Sequence, residues 1–175
     1  MSSGTGKDQW YALHVRPRSE KVVVSHLRTK GYDEYLPLYT LSSRWSDRTK
    51  VIEKPLFAGY AFCKFDVQKK LPILELPEVL NIVGIGKVFI PISEAELASI
   101  RQIVASGLHC EPWPFIEAGQ TVSVTRGPLT GIEGTVIKVK SHLRLVVSLP
   151  MFQRSVAVEI DRDSVEPIAR SKRRA

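Results

Sequence analysis

Hydrophobic residues change their period along this chain, and that change constrains the fold more than any single motif. Up to Gly107, short strand-like runs are interleaved with two stretches of helical period. Beyond Gly119 every apolar run is short, rich in β-branched residues and strand-like. One helix-containing core and one all-strand core are therefore expected. A length of 175 residues has room for two small domains.

In the first part, residues 10–15 (Trp10, Tyr11, Ala12, Leu13, His14, Val15) read as a strand cut off by Arg16 and Pro17. A helix follows, with Ser19 as cap, Glu20 at the positive end of the dipole, Val23 and Leu27 on one face, and Gly31 as the left-handed stop. Residues 32–38 read as a second strand ending at Pro37. From Leu41 to Lys50 no apolar face repeats, which reads as a mobile basic hairpin tip. Residues 51–54 and 60–65 read as flanking strands, joined by the turn-like Pro55-Leu56-Phe57-Ala58-Gly59. Residues 82–90, holding Gly84 and Gly86, read as one irregular strand. Ser93-Glu94-Ala95-Glu96 is a capping box, and Leu97, Ile100 and Val104 supply the helical stripe that Gly107 ends.

Pro112, Trp113, Pro114 and Gly119 break the pattern and mark a linker. Residues 121–124, 134–139, 143–149 and 155–160 then read as strands, with Leu143, Leu145, Val147 and Leu149 on one face and Val156, Val158 and Ile160 likewise. Short, closely spaced strands imply a small barrel, because closure removes exposed sheet edges. The expected division is a first domain at 8–108, a linker at 109–118, a barrel at 119–169 and a basic tail at 170–175.

Lys and Arg number 25 against 18 Asp and Glu, a net charge of +7, so polyanions are candidate partners and plain solubility is the alternative. Cys63 and Cys110 lie far apart, and His14, His26, His109 and His142 have no neighbour at ligand spacing, so neither a disulfide framework nor a metal site is expected. Gly84-Ile85-Gly86-Lys87 lacks the phosphate-loop spacing, and no nucleophile elbow or paired-carboxylate motif is present. The expectation is a protein without cofactor and without enzymatic activity. No signal-peptide core and no run near the ~20 apolar residues of a membrane span occur, so a cytoplasmic protein is expected; a monomer is expected as well.

Three stretches in order resemble the NusG family of transcription factors. Trp10 to Val15 with Arg16, Pro17, Arg18, Ser19, Glu20 and Lys21 is similar to the family's opening strand and helix. Pro55-Leu56-Phe57-Ala58-Gly59-Tyr60-Ala61-Phe62 resembles its signature turn, with Ala58 in place of the more usual proline. Residues 119–139, with Val122, Val124, Arg126-Gly127-Pro128-Leu129, Gly131, Gly134 and Val136, resemble the KOW motif. Pro-Leu-Phe at the turn and the basic Arg44-Trp45-Ser46-Asp47-Arg48 are more similar to specialised paralogs, of the RfaH-like or capsular-polysaccharide-operon type, than to the general factor.

The resemblance implies an α+β fold: an N-terminal NGN-type domain with a mostly antiparallel four-stranded sheet and helices, plus a C-terminal SH3-like KOW β-barrel. It implies docking of Phe57, Tyr60, Phe62, Ile82 and Ile85 on the clamp helices of RNA polymerase's largest subunit, with core filling as the alternative role for these rings. Arg16, Arg18, His26, Lys30, Arg44 and Trp45 would face the non-template DNA strand, or else form a solvated surface. Met151, Phe152 and Arg154, between two strands, would bind Rho or a small-subunit ribosomal protein, unless the tip folds back over the barrel. The rival class is a ribosome- or RNA-binding KOW-domain protein that does not act on RNA polymerase.

Overall fold

A computed structural model describes residues 7–44, 48–114, 120–139, 142–150 and 153–168. Two units divide the chain, Met1–Leu97 and Ala98–Ala175. The first contains β1 (Gln9–Val15), α1 (Glu20–Thr29), β2 (Asp33–Tyr35), β3 (Leu38–Arg44), β4 (Thr49–Pro55), β5 (Tyr60–Phe65), α2 (Leu71–Leu74), β6 (Val79–Ile82), β7 (Gly84–Ile85) and β8 (Val88–Phe89). α3 (Glu94–Ala105) begins in the first unit and ends in the second.

The first unit is built on a four-stranded sheet in the order β2-β5-β1-β6, antiparallel in every ladder. Alternation in β1 sends Tyr11, Leu13 and Val15 to one face, where they pack with Ala61, Cys63 and Phe65 of β5 and with Val23, Val24 and Leu27 of α1. Each fully buried aliphatic side chain here contributes about 1.5–3 kcal/mol. The i,i+4 pair Val23 and Leu27 is what turns α1 onto this face, and both are buried. Gly31, with φ of 82°, ends the helix. Ser19 makes no side-chain cap bond, contrary to the sequence expectation. The capping box at α3 is present as expected: Glu96 N–H donates to Ser93 Oγ at 3.1 Å and Ser93 N–H to Glu96 Oε2 at 3.0 Å. Leu97, Ile100 and Ile103 form its buried stripe, with Val104 only half-buried.

Three local expectations are corrected. β2 stops at Tyr35, so residues 32–38 are not one strand. The supposed hairpin tip from Leu41 is mostly ladder: β3 and β4 pair from Leu38↔Pro55 to Arg44↔Thr49 as a two-stranded sheet. Its exposed Thr40, Ser42, Val51 and Glu53 show why no apolar period was visible, since this ribbon buries no face in a core. Residues 82–90 are not one strand but the end of β6 followed by the tight pair β7 and β8. A Cβ on Gly84 would lie 2.1 Å from the Val88 carbonyl oxygen, so only glycine lets these strands approach.

The second unit contains β9 (Cys110–Pro114), β10 (Gln120–Val124), β11 (Glu133–Val139), β12 (His142–Leu149), β13 (Arg154–Ile160) and β14 (Val165–Pro167). They form one six-stranded antiparallel sheet in the order β14-β10-β11-β12-β13-β9. Among the described residues no ladder joins β14 to β9, so the sheet keeps two edges. Pro112 and Pro114 sit in β9 because an edge strand has backbone groups that need no ladder partner. Leu145↔Val158 and Val147↔Val156 face one another as the alternation predicts. Val146 and Ala157 are buried as well, so β12 and β13 are covered on both faces. Gln102 Nε2 of α3 donates to the carbonyls of Pro128 and Thr130 at 2.9 and 3.0 Å, anchoring the loop before β11.

Both thiols are buried. Burial, reinforced by Asp33 and Glu34, pushes Cys63 up to about 12, and burial also raises Cys110. Because the thiolate is the reactive form, iodoacetamide at pH 8 should label neither cysteine until denaturant is added, as read by mass spectrometry. Rapid labelling in native buffer would contradict the packing described for β5 and β9.

Candidate interaction surfaces

Opposite the α1 face, the four-stranded sheet carries Trp10, Ala12 and His14 of β1 beside Lys64, Phe62 and Tyr60 of β5, because directly paired residues share a face. At the Trp10 end, Glu94 Oε1 accepts from Trp10 Nε1 at 3.2 Å and from Lys64 Nζ at 2.9 Å. At the other end lies the turn between β4 and β5. The Leu56 N–H donates to the Pro37 carbonyl at 2.8 Å, and Tyr60 N–H closes the turn on the Phe57 carbonyl at 3.1 Å. Leu56 and Phe57 point inward and are buried, whereas Ala58 is exposed.

The rings at this end form a graded cluster. Phe57 meets Phe62 edge-on, 90° between planes and 5.9 Å between centroids, and Tyr35 lies over Phe62 at 6.3 Å. Phe57 and Phe62 are buried. Tyr60 stacks on His14 at 5.3 Å and 27°, and both are half-buried, as is Tyr35. Of the candidate docking residues, then, Phe57, Tyr60 and Phe62 are brought together. Ile82 is not: it pairs with Leu13 and belongs to the buried cluster beneath α1, on the other side of the sheet. Ile85 stands apart in β7, 68% exposed, opposite an equally open Val88. His14 and Tyr35 were missed by the sequence reading. For His14 the signal was there, since alternation from Trp10 places it on the face of Tyr60 once strands 10–15 and 60–65 are paired.

The candidate nucleic-acid residues Arg16, Arg18, His26 and Lys30 are all exposed. Arg16 and Arg18 flank Pro17 in the loop before α1, and Arg18 has a φ of 68°, unusual for a side chain with a Cβ. His26 Nδ1 lies 3.8 Å from Glu78 Oε2, so an acid sits beside this end of the basic surface. Arg44 closes the described part of β3, paired with Thr49, and Arg154 is an exposed residue opening β13. Trp45, Met151 and Phe152 lie outside the described residues, as does the basic tail.

The second unit has a cleft of about 270 Å³ whose lining includes Arg126, His142, Glu159 and Asp161 among apolar residues such as Leu129 and Leu143. Among the described residues no hydrogen bond or ion pair joins His142 to Glu159 or Asp161. Among the described residues no group of three His, Cys, Asp or Glu could hold a metal ion, and no helix is long and apolar enough to cross a membrane.

Comparison with known proteins adds an independent line. Residues 8–101 match the family model described as "Transcription termination factor nusG". The transcription termination/antitermination protein NusG of Helicobacter pylori strain J99 is 33% identical, covering 91% of this chain and 98% of the relative. The protein of the same name from Campylobacter jejuni is 28% identical over 91% of this chain and 97% of its own length. Among solved structures, Thermotoga maritima NusG superposes with a TM-score of 0.59 at 18% identity, covering 93% of this chain and 98% of that one, a likeness of fold.

The turn makes a direct prediction. Gly59 has a φ of 83°, and a Cβ there would meet its neighbours only at 3.8 Å or beyond. Gly59→Ala should therefore destabilise through backbone strain alone, by about 1–2 kcal/mol, measured by urea unfolding. Unchanged stability would mean that the turn readily adopts another conformation.

Proposed function

The chain belongs to the NusG family of transcription factors, which are not enzymes, and from that premise we propose that it is an elongation/antitermination factor that docks on RNA polymerase. The observation that carries this reading is the graded aromatic cluster. Phe57 and Phe62 meet edge to face and are buried, while half-buried Tyr60, on the same sheet face as Phe62, is supported by the His14 ring on which it stacks. A supported ring of this kind loses little entropy on binding, so a few such residues can dominate an interface. The partner in this reading is the pair of clamp helices on the polymerase's largest subunit, met by Tyr60 with Ile85 as an outlying apolar contact. Phe57 and Phe62 act as the platform, and Ile82 contributes from the core.

Docking raises processivity if the factor binds the closed clamp more tightly than the open one, since only differential affinity shifts such an equilibrium. Arg16, Arg18, His26 and Lys30, with Arg44 and Trp45, face the non-template DNA strand in this scheme. The division at 8–108, 109–118, 119–169 and 170–175 is part of the proposal, in which residues 109–118 carry β9 onto β13 of the later sheet and that sheet acts as an SH3-like KOW barrel. Through Met151, Phe152 and Arg154 that barrel recruits Rho or a small-subunit ribosomal protein, and its covalent link to the first domain raises the partner's local concentration at the polymerase. The Pro55-Leu56-Phe57 turn and the basic β3–β4 ribbon support a specialised paralog.

Tyr60→Ala should weaken binding to purified RNA polymerase by about 30-fold, the cost of truncating a hot-spot aromatic, while circular dichroism shows the fold retained. Full affinity in a folded variant would remove the docking assignment, and recovery from cells with ribosomal particles but never with polymerase would favour the ribosomal rival. Reversing charge at Arg16 and Arg18 should lower the effect on pausing most at low salt, where exposed charges act farthest. A pausing profile identical to that of the unaltered protein at low salt would make the DNA role untenable.

A further inference from the structure

Glu20 is a charged residue in the wrong place for a helix start that faces solvent. It opens α1, where acids are common, yet it is only 5% exposed. Its neighbour Ser19 leaves the helix without a side-chain cap bond. Glu20 instead turns inward and its Oε1 accepts the Gly59 N–H at 2.8 Å. Among the described residues it forms no ion pair. Burying a carboxylate is costly unless hydrogen bonds compensate, and a bond from a backbone amide to an ionised acceptor is among the stronger kinds.

The bond falls at a point of leverage. The Gly59 carbonyl accepts from Val15 N–H at 2.8 Å, so its amide is held by α1 while its carbonyl is held by β1. Gly59 adopts a φ of 83°, a region in which glycine alone is at ease and from which it can also escape freely. The next residue is Tyr60. Glu20 holds the Ala58–Gly59 peptide and Val15 the Gly59–Tyr60 peptide, so the two bonds together fix both backbone angles of Gly59 and with them the path of the chain into Tyr60, whose ring stacks on His14.

We propose that Glu20 is a positioning residue for the docking turn: it clamps the Gly59 amide so that Tyr60 is presented in one orientation, and it does not itself touch the partner. This rests on the docking role given above to Tyr60. The partner gains because the ring is ordered before binding, which removes part of the entropic cost of association. A glutamine keeps an acceptor in the same place without the charge. An alanine removes it and leaves the Gly59 amide without its partner.

The test uses the full-length chain and purified RNA polymerase core enzyme, comparing Glu20→Ala, Glu20→Gln, Tyr60→Ala and the two double variants, with affinity and thermal midpoint measured for each. Glu20→Ala should lose about tenfold in affinity, and Glu20→Gln should recover to within about threefold of the unaltered protein. In the Tyr60→Ala background neither change at Glu20 should weaken binding further, because Glu20 acts through that ring. The Gly59 amide proton should move upfield in the nuclear magnetic resonance spectrum of Glu20→Gln, reporting loss of the charge-assisted bond. Equal loss of affinity in the Gln and Ala variants, or effects that add to those of Tyr60→Ala, would overturn the proposal and assign Glu20 a purely structural part. Should Glu20→Ala fail to fold, the Glu20→Gln cycle decides alone: a small loss that vanishes with Tyr60→Ala supports the clamp, and one that persists refutes it. If Tyr60→Ala binds as tightly as the unaltered protein, the docking reading fails first and this inference with it.

Discussion

Burial of β1 on both of its faces is the constraint on which the first unit depends. Tyr11, Leu13 and Val15 pack beneath α1, while Trp10 and Ala12 are buried on the opposite side. A strand with two committed faces tolerates no slip, because a shift of one residue exchanges every side chain between them. The Leu13↔Ala61 and His14↔Tyr60 register is thereby locked. The β4–β5 turn inherits its place from that register, since Gly59 must reach Val15 while Tyr60 stays opposite His14. The position of the candidate docking ring is thus decided by core packing elsewhere in the sheet.

That dependence explains which parts of the fold were legible in the sequence. β1, α1, β5 and the cap of α3 announced themselves because each couples a clear apolar period to a recognisable stop: Pro17, Gly31, Gly59 and the Ser93–Glu96 pair. The β3–β4 ribbon was hidden because neither face is committed to a core, so alternation carries no hydrophobic signature. β9 was hidden for a different reason. Pro112 and Pro114 break most strands, but only pairing partners, which sequence does not show, reveal that this one lies at an edge.

The candidate site was legible in type more than in arrangement. Aromatic residues around Gly59 were evident, and alternation alone could place Tyr60 with Phe62. Nothing local could place Ile82, whose side of the sheet follows from its pairing with Leu13 after a crossing of the chain. Nor does spacing foretell that Glu20 reaches a residue 39 positions later. Burial separates the rings into those that hold and those that can be touched, and this distinction arises only once α1, β1 and β5 are assembled. Phe57 and Phe62, buried and in edge-to-face contact, are core-filling rings on the sheet face that also carries Tyr60.

Charge adds the last step. The 25 Lys and Arg residues overstate how much cation is available to a polyanion, because several of them are already engaged with acids. Arg28 contacts Glu34, Lys64 contacts Glu94, and Arg144 pairs with Glu111 and lies over the Trp113 ring. Arg16, Arg18 and Lys30 form no ion pair among the described residues and are exposed, the first two in the loop before α1 and Lys30 at its C-cap. Three phosphate contacts to a single strand would give an affinity that falls with salt at a log–log slope of only about −2. Attraction of that size can orient a factor beside a transcription bubble but cannot hold it there at physiological salt. On the proposed reading the larger share of affinity must come from apolar docking at the supported Tyr60 ring, which salt does not screen, and the basic surface then acts as a guide whose effect depends on the ring being in place.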